Sequence, residues 1–172
     1  MFAPGYAKGK APFGQWMVNK FWVDRRWAIS QTQAGDVAFA TLHHLNGRHA
    51  QDVVGYNAVA MEPGKGGNYA GRNVQVWGYP GRPPYDGEDP QYCRDHTRAN
   101  WSNSMYEVNC AMNEGASGGP WLDADNAAHA TVIGVTSSTP TTQAGKVVQG
   151  AQFTSEYTLD VFLKTSQSRD EL

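Results

Sequence analysis

The residues most able to do chemistry in this sequence lie in the stretch 115–120, which reads GASGGP. A serine between glycines predicts a tight turn with few side chains, because glycine adopts backbone angles that are closed to other residues. In such a turn the amides of Gly115 and Ser117 can form an oxyanion hole beside a nucleophilic hydroxyl. An ordinary glycine-rich surface turn is the alternative interpretation. Cys110 before the turn and the strand-like run 131–135 after it favour the catalytic interpretation.

The sequence around this turn resembles a known family. The hexapeptide, followed by a short strand, a turn and the residues IGVTS at 133–137, is similar to the nucleophile half of the chymotrypsin-like serine endopeptidases. The nearest branch is the secreted bacterial one that includes the glutamyl endopeptidases. Residues 2–6, 12–16 and 35–42 are similar to the segments that lead into the catalytic aspartate of that branch. The resemblance covers nearly the whole chain and implies Ser117 as nucleophile and Asp36 as the acid of the triad.

The resemblance also implies the architecture. It predicts an all-β fold of two six-stranded antiparallel β-barrels of the chymotrypsin type, with the first barrel incomplete at its N-terminus and a C-terminal helix. Residues 1–70 would form the remainder of the first barrel and carry Asp36, and residues 71–172 would form the second barrel and carry Ser117. The composition agrees, because only 17% of the residues are charged while the chain has 19 glycines and 9 prolines, as is typical of short strands joined by turns.

Apolar and alternating patterns predict where these strands lie. The predicted strands are 15–23, 37–42, 51–61 with a kink at Gly55, 73–80, 91–94, 105–110, 130–138 and 147–153. The segment 24–35 is predicted to be a loop. A helix is predicted from Thr154 or Ser155 to Lys164, since either residue can cap its N-terminus.

The catalytic imidazole is missing from the expected place. Peptide hydrolysis by serine needs an imidazole that accepts the proton and a carboxylate that orients it. In the resembled family this histidine precedes the aspartate, in a Thr-Ala-x-His-Cys segment. All the histidines of this chain follow Asp36; they are His43, His44, His49, His96 and His129. Even His43 lies about 23 Å from Asp36 if the strand between them is extended, so none of the five is expected to complete the triad.

Three functional hypotheses follow. The first is a serine endopeptidase whose histidine lies upstream of Met1, so that the 172-residue chain alone is marginally stable and nearly inactive. The second is a non-catalytic homologue that binds peptides in the same cleft. The third is a structural or adhesion β-domain in which the serine turn is accidental, with Asp36 and Ser117 far apart.

The resemblance implies a substrate-binding pocket with two walls. Residues 111–114, including Ala111 and Glu114, form one wall, and the hydroxyls of Ser137, Ser138 and Thr139 line the other. Ala111 stands where an aspartate would select Lys or Arg, so cleavage after basic residues is not expected. Thr136 stands where glutamate-specific relatives have a histidine, although the three hydroxyls can still donate to a carboxylate. Ala116 replaces the usual acid that pairs with a freed N-terminus, so activation by that ion pair is not expected.

The two cysteines, Cys93 and Cys110, are compatible with one disulfide or with two buried free thiols. The resemblance favours the bond, which implies an oxidising compartment and a secreted protein, although no signal peptide follows Met1.

Charge and hydropathy narrow the range of partners. The net charge is −2, with no basic block for nucleic acid and no apolar run long enough to span a bilayer. We expect a monomer that acts on polypeptides without a cofactor or metal. The adjacent His43 and His44 point to opposite faces of a strand and so cannot easily share a metal ion.

Overall fold

The computed structural model describes residues 1–62, 69–100, 104–123, 130–140, 145–155 and 158–168, so His129 lies outside the described residues. The strands of this part of the chain are β1 Val18–Val23, β2 Ala38–Leu42, β3 Ala58–Val59, β4 Asn73–Gly78, β5 Gln91–His96, β6 Arg98–Asn100, β7 Met105–Asn109, β8 Pro120–Asp123, β9 Thr131–Ser138 and β10 Val147–Gln152. The α-helices are α1 Arg25–Ser30, α2 Ala50–Val54 and α3 Thr158–Gln167, and Gln33–Gly35 form a 3-10 helix. No helix of the described ranges has the length and apolar character needed to cross a membrane.

The larger sheet contains eight of these strands. Its order is β5-β4-β8-β9-β10-β7-β6 with antiparallel neighbours, and β3 adds to β9 as a parallel pair. Alternation along β4 buries Val74 and Val76, as expected for a strand with one face on a core. These valines pack with Val108, Trp121 and Val148 from three other strands.

Contacts between β5 and β7 bring the two ends of this sheet together. Cys93 in β5 forms a disulfide with Cys110, which directly follows β7, and the prediction of one disulfide is therefore confirmed. Asp95 Oδ2, also in β5, accepts a hydrogen bond from the amide of Asn109 at 2.8 Å and one from Arg98 at 3.0 Å. Partial burial raises the pKa of Asp95, but the amides of Asn109 and His96 and the Arg98 guanidinium outweigh it and hold this pKa below its ordinary value.

The smaller sheet consists of β1 and β2, which pair antiparallel from Val18 opposite Leu42 to Val23 opposite Ala38. Part of its contact with the rest of the molecule is aromatic. The ring of Phe39 lies 5.7 Å from that of Phe153, which follows β10, and 5.6 Å from that of Phe162 in α3. The predicted mostly-β fold with a C-terminal helix is therefore confirmed. The two-barrel detail is seen only in part, as a curled half-barrel and this two-stranded sheet.

Two local predictions are wrong. The segment predicted as a loop over 24–35 contains α1, because the side chain of Asp24 caps it by accepting from the Arg26 amide at 2.8 Å. The segment predicted as a strand over 51–61 instead contains α2, which ends at Gly55 with a φ of 75°. Only Ala58–Val59 remain extended there, where they pair with β9.

Candidate active site

The loop that carries Ser117 joins β7 to β8, and glycine is required in it for steric reasons. Gly115 has a φ of 101°, and a Cβ atom there would lie 2.6 Å from Tyr79 O and 2.8 Å from Gly81 N. Gly119 passes close to the carbonyl of Trp77, which also leaves no room for a side chain. The GASGGP sequence therefore folds as a tight turn because its glycines let two backbone segments approach each other.

The amides of this turn divide into two groups. Those of Ala116, Gly118 and Gly119 donate to backbone carbonyls at 2.8–3.2 Å, and the acceptor for Gly118 is Thr136 O in β9. Within the described part of the chain, the amides of Gly115 and Ser117 donate to no protein group. Ser117 itself is exposed. The turn thus leaves available the two donors that an oxyanion hole needs, one on the serine and one two residues before it.

The serine loop is fixed to the segment that follows β4. Asn113 accepts from the Arg82 amide at 3.2 Å and donates to Arg82 O at 2.8 Å, while Glu114 O accepts from the Gly81 amide at 2.7 Å. The side chains of Arg82 and Glu114 form an exposed ion pair at the rim. Nothing in the Pro-rich sequence 81–90 distinguishes Arg82 from an ordinary turn residue, and sequence reasoning missed it.

The N-terminal segment supports this region from behind. Tyr79, whose carbonyl lies against Gly115, donates its hydroxyl to Tyr6 O at 2.7 Å, and the Tyr6 hydroxyl donates to Glu88 at 2.8 Å. Burial raises the pKa of Tyr79, so its hydroxyl remains a donor at neutral pH.

Asp36 lies at the end of the 3-10 helix and immediately before the small sheet. A Cβ at Gly35 would lie 2.6 Å from Arg26 Cβ, so the absence of a side chain lets α1 pack against this turn. The next residue, Val37, is buried and anchors the turn in the core. Asp36 Oδ2 then accepts a hydrogen bond from Ser137 Oγ in β9 at 2.8 Å. This bond joins the smaller sheet to the larger one at the level of the serine loop.

A cleft of about 500 Å³ lies beside Ser117. Its lining includes four of the predicted substrate-binding residues, which are Glu114, Ser137, Ser138 and Thr139. Arg82 and Asn113 also line it. Ala111 is exposed and does not belong to this lining. Ser117 and Ser137 thus line one cleft, and Asp36 is linked to that cleft through Ser137.

Several hydroxyls of the cleft are already engaged. Thr136 Oγ1 accepts from the Trp121 indole at 3.0 Å, and Ser138 Oγ donates to Gln149 Oε1 at 3.1 Å. Ser137 is committed to Asp36. Thr139, which also lines the cleft, makes no side-chain hydrogen bond with the described residues, so its hydroxyl is the one of this set best able to meet a substrate side chain.

The described histidines lie elsewhere. The backbone amide of His43 bonds to Met17 O, His44 and His49 contact each other, and His96 ends β5. Among residues whose placement is described, no histidine lines the cleft beside Ser117.

The chain was compared with known proteins. No family sequence model and no curated protein sequence matches it. Its structure is similar to that of the protease Anisep from Arthrobacter nicotinovorans, with 26% identity and a TM-score of 0.81 over 95% of this chain and 71% of that chain. The thermostable serine protease AL20 from an extremophilic microorganism is 26% identical, with a TM-score of 0.80 over 94% of this chain and 74% of that one.

A Glu endopeptidase solved in complex with MPD is 18% identical, with a TM-score of 0.75 over 94% of this chain and 69% of that one, a likeness of fold. The similarities support protease activity in general and polypeptides as the class of substrate. Together with the curled antiparallel sheet and the serine turn, they show that this chain is similar in structure to serine proteases with the chymotrypsin fold.

Proposed function

We propose that the protein is a serine endopeptidase that hydrolyses peptide bonds through an acyl-enzyme on Ser117. The observation that carries the proposal is the cleft in which Ser117, its two unbonded amides and the Ser137–Asp36 hydrogen bond come together. Residues 1–70 supply the acid and residues 71–172 supply the nucleophile. The disulfide supports secretion into an oxidising compartment. A monomer is part of the proposal, since the nucleophile and the acid belong to one chain.

Each group has a defined role in this reaction. The Ser117 oxygen attacks the substrate carbonyl while an imidazole takes the hydroxyl proton, and Asp36 orients that imidazole by accepting its other N–H. The amides of Gly115 and Ser117 donate to the oxyanion of the tetrahedral intermediate. The C–N bond then breaks and the imidazole returns the proton to the leaving amine. Water attacks the resulting ester by the same route and releases Ser117.

We infer that the imidazole comes from a peptide segment other than the described residues, which place no histidine in the cleft. Within the described ranges β2 pairs only with β1, so its second edge is available to another strand. A groove of about 320 Å³ runs between this edge and α3. Thr41, which lines the groove, is buried and its hydroxyl has no partner among the described residues. A strand antiparallel to β2 in this groove would end beside Asp36, where the imidazole is needed.

The test uses a fluorophosphonate probe, which forms a covalent bond only with an activated serine. The 172-residue chain should label slowly, because loss of the base lowers the rate by a factor on the order of 10⁶. Adding free imidazole should raise labelling by on the order of 10²-fold, since general-base catalysis contributes that much or more. The rescue should disappear in Ser117→Ala and fall sharply in Asp36→Asn.

Three outcomes contradict parts of this proposal. Fast labelling of Ser117 without added imidazole refutes the proposal that the 172-residue chain lacks its general base. Rescue that persists in Asp36→Asn refutes the role of the carboxylate. If imidazole gives no rescue although the chain is folded, and peptides still bind the cleft, the protein is instead a non-catalytic peptide-binding homologue. The absence of a histidine from the described cleft is the observation that favours this alternative.

A further inference from the structure

Two histidines that play no part in the proposed reaction face each other across a tight hairpin. Leu45 and Arg48 exchange both backbone hydrogen bonds, at 3.0 and 3.1 Å, around Asn46 and Gly47. These two central residues have φ values of 52° and 73°, which is the backbone of a two-residue hairpin turn with an Asn-Gly sequence. His44 directly precedes Leu45 and His49 directly follows Arg48, so the two histidines lie opposite each other across this hairpin.

Residues that lie directly opposite each other on two paired antiparallel strands carry their side chains on the same face. The ring centroids of His44 and His49 are 4.1 Å apart, and the ring planes are nearly perpendicular at 86°. His44 Nε2 lies 3.0 Å from Nδ1 and 3.1 Å from Nε2 of His49. The turn therefore holds the two imidazole rings in direct contact at the surface.

We propose that His44 and His49 form a bidentate site for a divalent transition metal, with zinc as its representative. Imidazole nitrogen is a preferred ligand of zinc, at about 2.0–2.1 Å. His44 is exposed and His49 half-buried, so a small rotation of the rings turns one nitrogen of each toward a common ion. Water completes the coordination on the side of His44, which is exposed.

The neighbouring charges permit a cation here. The Arg48 guanidinium, the nearest positive group of the hairpin, is directed to Asp52 O at 2.9 Å. The Asp52 carboxylate accepts the His49 amide at 3.2 Å and adds negative charge beside the pair. Because the hairpin connects the end of β2 to the start of α2, a bound ion would tie these two elements together.

The site was not expected from the sequence. The adjacent His43 and His44 suggested opposite faces of a strand, which argues against a shared metal. The relevant pair is five residues apart, and only the Asn46-Gly47 turn brings it together. An Asn-Gly dipeptide flanked by histidines two positions away on either side is the signal that could have found it.

Zinc titration of the full 172-residue chain, followed by calorimetry, tests the proposal. We expect one zinc ion per chain and no binding of magnesium, which prefers oxygen ligands. His44→Ala and His49→Ala should each weaken zinc binding on the order of tenfold or more, because the second ligand contributes as an intramolecular partner. His96→Ala, which removes another exposed histidine, is the matched control and should leave the affinity unchanged.

A second measurement separates binding from folding. Zinc should raise the thermal unfolding midpoint of the unsubstituted chain and of His96→Ala but not of the two site variants, since only the native hairpin binds it. The inference is overturned if the chain binds no zinc at millimolar concentration. It is equally overturned if both site variants bind zinc as tightly as His96→Ala does, because the ion is then held elsewhere. Neither readout depends on peptidase activity.

Discussion

Gly115 and Gly118 both have left-handed backbone conformations in the serine loop, but their surroundings differ. A Cβ at Gly115 would collide with backbone atoms of Tyr79 and Gly81, whereas a Cβ at Gly118 meets nothing within 4 Å. The pair therefore separates the effect of steric collision from the strain that any left-handed residue suffers, which is of order 1–3 kcal/mol.

We expect Gly115→Ala to destabilise the fold more than Gly118→Ala. Relief of the collision also moves the Gly115 amide, so imidazole-rescued labelling of Ser117 should fall by about 10²–10³-fold in Gly115→Ala, the usual effect of losing an oxyanion donor. Denaturant unfolding and probe labelling measure the two effects. Equal stability and equal labelling in the two variants would contradict this account of the turn.

The tight turn around Ser117 could be predicted from local sequence, because the glycines act on their own neighbours. The partner of Asp36 could not be predicted in the same way. Ser137 lies 101 residues further along the chain and was expected only as a pocket hydroxyl. Its contact with the carboxylate depends on how two sheets pack, which no local pattern specifies.

Strands β5 and β7 provide the polar and covalent contacts that close the larger sheet. Because the folded-state pKa of Asp95 is lowered, its contribution to stability is present above the ordinary pKa of about 3.9 and is lost as the pH falls through the lowered value. Asp95→Asn should reduce the free energy of unfolding by about 1 kcal/mol at pH 7. The difference from the unsubstituted chain should shrink steadily as the pH falls below about 4.

Urea unfolding at several pH values measures this difference. Asp160→Asn is the matched control, because Asp160 pairs with Lys164 on the exposed surface of α3 and such pairs contribute about 0–1 kcal/mol. A constant difference between Asp95→Asn and the unsubstituted chain across the whole pH range would show that the charge of Asp95 does not matter.

The disulfide acts on the same pair of strands. Cys93 and Cys110 are 17 residues apart, so removal of the bond should cost about 3 kcal/mol through the entropy of the unfolded chain. Cys93→Ser with Cys110→Ser should therefore unfold at lower urea, as should the unsubstituted chain under reducing conditions. An unchanged midpoint in both experiments would argue that the bond does not constrain the unfolded state.

Short elements account for most of the errors in the predicted fold. α1 and α2 have six and five residues, too few for an apolar repeat, and they depend on caps and tertiary contacts. The strands β4, β9 and β10 were predicted closely because each buries an apolar face against the core. α3 is described from Thr158 to Gln167, and its predicted start at Thr154 or Ser155 adjoins residues 156 and 157, which lie outside the described residues.

At the scale of the whole molecule, the two sheets differ in how well they are covered. The larger sheet surrounds a buried core, whereas β1 exposes Phe21 and Val23 at 65% and 44%. Among the described residues β2 pairs only with β1, and an open strand edge beside exposed apolar side chains favours association with further polypeptide.

The hydrogen bond between Asp36 and Ser137 also has a consequence for biosynthesis. During translation the acid emerges from the ribosome long before the hydroxyl that holds it, and Ser117 emerges between the two. A nascent chain therefore cannot bring Asp36 and Ser137 together, and so cannot form the proposed hydrolytic geometry, until most of its length has been made.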